Sequence, residues 1–161
     1  MELNIRHATI ADLDAVNAVE AATFPPAEAC TCETFRYRLT AYPERFLVAE
    51  VDGKVIGIIN GCTTNKPLIC DELFEAGGHD PKGENQMIFG LGVLPEYQHQ
   101  GIAGKLIRAL VELVRAEGRK TVVLTCKEHL LNYYASFGFE NRGVSDSVHG
   151  GAVWYDMVLV L

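Results

Sequence analysis

The chain has 161 residues, 48% hydrophobic and 22% charged, a balance that suits one globular domain over residues 1–161 with a sizeable core. Its 14 basic and 21 acidic residues give a net charge of −7, which excludes nucleic acid as an expected partner, because neutralising phosphates takes a surplus of Lys and Arg. An acidic surface instead suits cationic small molecules. No apolar run is long enough for a membrane and no basic-then-apolar stretch opens the chain, so a cytoplasmic protein is expected. The five cysteines, Cys30, Cys32, Cys62, Cys70 and Cys126, match no zinc spacing, so reduced thiols and no metal are expected.

Taken in order, Asn4–His7 reads as a short strand. Thr9 then offers an N-cap, with Asp12 three residues on, and Leu13, Val16, Ala18 and Val19 place a helix over 10–23. Pro25-Pro26 stops it. A second helix is expected from just after Thr31 to about Thr40, with Pro43 at its exit. Phe46–Val51 and Val55–Asn60 flank Asp52-Gly53, a strong hairpin signal.

Residues 65–85 carry Pro67, Gly77-Gly78, Pro81 and Gly83 and read as a long loop, with one helical turn near Asp71–Phe74. Met87–Val93 reads as one buried strand with glycines inside it, a sign of a bulge or of a ligand's close approach. A clean apolar face over 102–118 predicts a helix closed by Gly118. A strand at Thr121–Thr125, a short helix at Leu130–Phe137 closed by Gly138, and a last strand at 152–160 complete the chain. The order β-α-α-β-β-loop-β-α-β-α-β-β predicts an α/β (α+β) fold, a mixed sheet with helices on its faces.

The chemistry concentrates in Leu91–Leu106, where a buried strand runs through Gln98-His99-Gln100-Gly101 into a strong helix. The first turn of such a helix presents unpaired N–H groups and the positive end of its dipole, a seat for an anion. Gly101 and Gly104 let a phosphate approach the backbone. A nucleotide-triphosphate loop is excluded, since Gly104-Lys105 is followed by Leu106 rather than a hydroxyl residue. A dinucleotide fingerprint is absent too.

Gln98-His99-Gln100-Gly101-Ile102-Ala103 resembles the Gln/Arg-x-x-Gly-x-Gly/Ala signature of the GNAT acetyltransferase superfamily. Tyr134-Ala135-Ser136-Phe137-Gly138-Phe139 resembles that family's Tyr-x-x-x-Gly-Phe. Within the superfamily the chain resembles the arylalkylamine (serotonin) N-acetyltransferases and their bacterial relatives, through Ala22-Thr23-Phe24-Pro25, Tyr42-Pro43-Glu44 and Leu124–Glu128. The resemblance implies a mostly antiparallel central sheet, flanked by helices and splayed between the family's fourth and fifth strands. It implies an acyltransferase that moves acetyl from acetyl-coenzyme A to a small primary amine, by direct transfer in a ternary complex. An acceptor on a peptide or protein, or a non-catalytic acetyl-coenzyme A sensor, are the alternatives. A homodimer is a further possible partnership.

The same resemblance assigns coenzyme contacts to the backbone of Leu91, Gly92 and Val93, to Gln98, His99, Gln100, Gly101, Ile102, Ala103, Gly104 and Lys105, and to Asn132. It makes Tyr134 the general acid for the departing thiolate. The positions of the two family histidines hold Met87 and Phe89, which cannot take a proton, so the base must come from elsewhere. Glu28 is the first candidate, because a carboxylate also attracts a cationic amine. Phe24, Glu28, Glu72 and His149 are the candidate acceptor-binding residues, with Asp71, His79 and Asp146 as further candidates. The turn 145–151 reads as a flexible cover. Cys126 reads as a buried small hydrophobe rather than a nucleophile.

Overall fold

The computed structural model describes residues 2–75 and 77–161. Met1, and Ala76 within the expected loop, lie outside the described residues. The fold divides into two compact units, Met1–Asn60 with Gly90–Glu112, and Gly61–Phe89 with Leu113–Leu161.

In the first unit, strands β1 (Leu3–His7), β2 (Phe46–Val51), β3 (Lys54–Asn60) and β6 (Gly90–Val93) form an antiparallel sheet in that spatial order. The β2–β3 hairpin turns at Asp52 and Gly53, both at positive φ (51° and 81°), as a two-residue primed turn requires. The expected helix over 10–23 begins as a 3₁₀ turn, Ile10–Asp12, and becomes α1 only at Leu13–Thr23. Asp12 accounts for the start: its carboxylate accepts the Thr9 N–H at 2.8 Å and hydrogen bonds from the two terminal Arg6 nitrogens, Nη1 and Nη2, at 2.8 and 2.9 Å. Helix α2 (Cys32–Ala41) is capped by Thr31, whose hydroxyl accepts the Thr34 N–H at 3.2 Å. Leu13, Val16 and Val19 of α1 meet Phe35 and Leu39 of α2 over Phe46, Val48 and Ile58 of the sheet. The Phe35 and Phe46 rings stand edge to face at 5.8 Å.

Helix α3 (Ile102–Ala116) starts in this unit and buries Ile102, Leu106, Ile107 and Leu110. Gly57 makes room for it: a Cβ there would stand 3.2 Å from Leu106 Cδ1. The helix ends two residues before the expected Gly118, which at φ 74° sends its N–H to Arg115 O, while Arg119 N–H returns to Val114 O.

In the second unit the sheet order is β4 (Thr63–Thr64), β5 (Asn85–Ile88), β7 (Thr121–Cys126), β9 (Tyr155–Val160) and β8 (Glu140–Val144). Among the described residues of this unit only β5 and β7 run parallel. Met87, Val122, Val123, Leu124 and Met157 form its buried centre. Helix α4 covers only Leu131–Ala135, after a 3₁₀ turn at Glu128–Leu130. The expected turn at Asp71–Phe74 is a 3₁₀ helix.

Two expectations need correction. Met87–Val93 is not one strand: β5 and β6 separate at Phe89 and belong to different sheets. The ladder with β7 ends at Ile88↔Leu124, and from Gly90 onward the chain bonds to β3 instead. The last strand starts at Tyr155, not 152: His149–Gly151 form a 3₁₀ turn and residues 152–154 belong to no regular element, with the Trp154 indole N–H donating to His149 O at 2.8 Å and its carbonyl accepting Ser145 N–H at 2.8 Å.

Candidate active site

The anion seat expected at the start of α3 is built wholly within the first unit. Strand β6 lies at the end of its sheet, so one edge of Gly90–Val93 has no strand partner among the described residues. A short 3₁₀ turn, Pro95–Tyr97, leads out of it. Gln98 fastens the turn to the strand, its Nε2 donating to Val93 O at 2.9 Å. His99 (φ 63°) and Gly101 (φ 79°) both take the left-handed conformation, which turns successive amides toward one side. The first bond of the helix runs from Lys105 N–H to Gly101 O at 3.1 Å, so the amides of Ile102, Ala103 and Gly104 precede the intrahelical ladder. Gln98, His99, Gln100, Gly101 and Lys105 are exposed, whereas Ile102 and Gly104 are buried. An open nest of amides at the positive end of a 15-residue helix can hold a diphosphate. The adjoining bare strand edge can pair with an amide-bearing chain.

The glycines of β6 also have a packing role. A Cβ on Gly92 would stand 2.8 Å from Thr23 Oγ1 and 3.4 Å from the Phe24 ring, so the end of α1 is pressed onto this strand. Candidate Phe24 is thereby placed against β6 as the half-buried residue that closes α1. Glu28 sits beyond it in a turn whose N–H bonds to Pro25 O, half-buried.

Sequence reasoning missed a buried polar group in this unit. Glu20, 5% exposed, accepts the Cys30 N–H at 2.7 Å and so ties α1 to the segment before α2. One of its oxygens lies 3.8 Å from the Cβ position of Gly90. Beside it Arg38 donates to Asn60 Oδ1 at 2.8 Å, with both residues buried. Burial pushes the Cys30 thiol above its ordinary value, with Arg38 opposing and Glu20 adding. The available signal was a carboxylate on the apolar stripe of Val16 and Val19.

The remaining candidates belong to the second unit. The Tyr134 ring meets Tyr133 at 5.2 Å and Phe139 at 6.1 Å. Burial, reinforced by Cys126 and Tyr133, pushes its phenol well above the ordinary value, so it stays protonated at neutral pH. Burial alone pushes the Cys126 thiol up to about 11, which leaves it a poor nucleophile. Asn132 is exposed on α4. Glu72 is exposed, and hydrogen bonds from its own backbone and from Cys70 hold its carboxyl below the ordinary value. Such a group remains anionic and is a weak proton acceptor. Met87 is fully buried and Phe89 half-buried. His79 is engaged too, its Nδ1 accepting the Thr63 N–H at 3.1 Å.

The turn 145–151 is not the free cover expected of it. Ser145 and Ser147 are buried. Asp71 accepts the Ser147 hydroxyl at 2.5 Å and the Val148 N–H at 3.3 Å. These bonds commit Asp71 to holding the turn. His149 lies between two rings, Phe74 at 5.1 Å and Trp154 at 6.5 Å.

A model of the Acetyltransferase (GNAT) family matches residues 13–139, a span that contains the amide nest and Tyr134. The chain belongs to the GNAT acetyltransferase family. Among relatives of this GNAT chain, "Acetyltransferase plu1384" of Photorhabdus laumondii is 36% identical over 91 residues, 56% of this chain and 51% of that protein. "Probable N-acetyltransferase family 8 member 5" of Mus musculus is 30% identical over 102 residues, 61% of this chain and 39% of that protein. The chain thus spans about half or less of the length of these curated relatives. In fold it is similar to the GphF GNAT-like decarboxylase solved with isobutyryl-CoA, with a TM-score of 0.86 at 20% identity over 98% of both chains. Among the described residues no helix of this GNAT protein is long and apolar enough to cross a membrane. Nor do they include a group of three or more His, Cys, Asp or Glu placed to hold a metal ion.

Proposed function

We propose that the protein transfers acetyl from acetyl-coenzyme A directly to a primary amine. The observation that carries this reading is the amide nest at His99–Gly104, continuous with the bare edge of β6. The nest takes the coenzyme's diphosphate, and the backbone of Leu91, Gly92 and Val93 pairs with the amides of its pantetheine arm. Gln98 holds the nest in register with the strand. Lys105 and Asn132 are the side chains proposed to add to coenzyme binding.

The acceptor arrives as an ammonium and must lose a proton before its lone pair can attack the thioester carbonyl. The C–N bond forms, the nitrogen gives up its second proton as the tetrahedral intermediate collapses, the C–S bond breaks, and the thiolate takes up a proton to leave as the thiol. Tyr134 carries the proton-donor role that the family resemblance assigns. With its phenol held above the ~8.5 of an ordinary thiol, it acts first as a hydrogen-bond donor to the developing thiolate, which lowers the cost of departure. Glu28 is proposed as the carboxylate that draws the ammonium and takes its proton, and Phe24, Glu72 and His149 as acceptor contacts. The finer reading is a small, arylalkylamine-like acceptor.

Free-thiol release from acetyl-coenzyme A decides the matter, measured across arylalkylamines, polyamines, amino sugars and peptides. Turnover with a small amine supports the reading. Turnover with peptides alone replaces the acceptor class. Heat of coenzyme binding without any release makes the protein a sensor.

A further inference from the structure

Asn60 closes β3 and Gly90 opens β6, and the two are partners across the ladder that joins these strands in the first unit. Asn60 is 1% exposed. Its Oδ1 accepts from Arg38 Nη1 at 2.8 Å, which fixes the way the amide points. Its Nδ2 therefore faces Gly90 and stands 3.4 Å from where a Cβ would be. That nitrogen is buried and has no hydrogen-bond partner among the described residues. A donor is costly to bury in this way unless something binds it.

Glu20 forms the other wall. Its Oε2 accepts the Cys30 N–H at 2.7 Å, and its Oε1 stands 3.8 Å from the Gly90 Cβ position. Apart from the adjoining residues, no third atom comes within 4 Å of that position, so a methyl-sized gap stays open there. Gly92, on the same face of β6, is the contrast, with Thr23 at 2.8 Å and Phe24 at 3.4 Å filling its space. Gly90 is half-buried, which puts the gap at the margin of the strand rather than deep in the core.

The gap therefore sets one oriented donor against one carboxylate. An ammonium has no lone pair for Asn60, and an ionised carboxylate has no hydrogen for Glu20. An oxygen that carries hydrogen satisfies both.

We propose that the gap at Gly90 binds one hydroxyl-type oxygen, which accepts from Asn60 Nδ2 and donates to Glu20. The gap lies on β6, the strand whose bare edge is read above as the seat of the pantetheine arm, and its service to the acceptor rests on the amine-acetylating reading. The oxygen comes from a hydroxyl of the acceptor or from a water. A water there takes a proton from the ammonium as it passes one to Glu20, and Glu20 then replaces Glu28 as the proton's destination.

A crystal structure with coenzyme A reads the site without any transfer. An oxygen within hydrogen-bond reach of both Asn60 Nδ2 and Glu20 is expected. A dry gap, or an Asn60 amide satisfied elsewhere, overturns the site. Gly90→Ala fills the gap with little disturbance, because φ at Gly90 is not positive and the new Cβ meets both walls at ordinary contact distance. Asn60→Asp keeps the acceptor for Arg38 and removes the donor, and it serves if the alanine variant does not fold. Acetyl transfer to phenethylamine is compared with transfer to phenylethanolamine, which adds one hydroxyl, and a loss in kcat/KM of about tenfold or more is expected in the variant. A loss confined to phenylethanolamine assigns the oxygen to the acceptor. A loss on both amines, with the kcat/KM profile displaced to higher pH, assigns it to water. Any other pattern, unchanged kinetics in a folded variant included, overturns the role. Absent turnover in the unaltered protein, with the oxygen in place, condemns only the acetyltransferase reading.

Discussion

Thr23 leaves no room for a side chain on Gly92: its Oγ1 stands 2.8 Å from where a Cβ would be. The Thr23 hydroxyl is itself held by Val19 O at 2.8 Å and cannot swing aside without losing that bond. Gly92→Ala therefore forces α1 away from β6, with an expected cost of about 1–3 kcal/mol. Urea melts measure it. Pairing the change with Thr23→Ala should restore much of the loss, because the clash is with that side chain.

Gly101 presents the opposite case, with nothing within 4 Å of its Cβ position but a φ of 79°. An alanine fits the space and strains the backbone, at about 1–2 kcal/mol. Gly101→Ala is expected to weaken acetyl-coenzyme A binding several-fold, and Gly101→Asp much more, since it sets a negative charge beside the diphosphate. Calorimetry on each variant gives the comparison, with circular dichroism confirming that α3 persists.

Tyr134→Phe is expected to lower turnover by about 10²-fold with coenzyme binding unchanged. It should also alter alkaline stability. The folded phenol value is raised, so the fold's preference for the neutral ring is intact below the unfolded value of about 10 and is lost as pH rises past it. Denaturant melts from pH 8 to 11 should show a shallower decline in Tyr134→Phe, the part due to Cys126 remaining. An identical decline would remove the buried-phenol account.

Asp12 contributes to the acid limb. Hydrogen bonding to Arg6 leads the causes that hold its carboxyl below the ordinary value. The stability it contributes is present above the unfolded value near 4 and is lost as pH falls through the lower folded value. Asp12→Asn is expected to cost about 1 kcal/mol at pH 7 through the weakened Thr9 cap and to flatten the melting temperature below pH 4. Thermal melts in a citrate series test both.

Asp71→Asn should loosen the turn at 145–151 without unfolding the sheet. Amide exchange at Val148 and His149 is expected to rise at least tenfold, with exchange at Val122–Leu124 unaffected.

Where local chemistry dictates structure, the sequence was legible. Asp52-Gly53 placed its hairpin within one residue, because positive φ at both central positions is a demand that few residue pairs meet. Gln98–Ala103 gave the nest for a similar reason. The division of Met87–Val93 was not legible, because both halves are apolar and the partner each one takes is decided elsewhere in the chain. Ala152-Val153-Trp154 has strand composition, yet it stays outside the last strand, with its indole bonded back to His149 O in the preceding 3₁₀ turn. The anchoring of 145–151 rests on Asp71, 76 residues from Ser147, and no local pattern announces such a pairing. Glu20 was hidden by its place on an apolar stripe.

The parallel ladder of β5 and β7 sets the order in which the chain assembles. The β2–β3 hairpin closes over two residues, whereas Asn85 and Thr121 come into register only across a separation of 36 positions that includes α3. Pulse-labelled refolding should therefore shield the amides of Val48 and Ile58 early and those of Met87 and Val123 last. Until that late event β5 lacks its long-range neighbour, and the nascent chain's exposure to self-association is concentrated there.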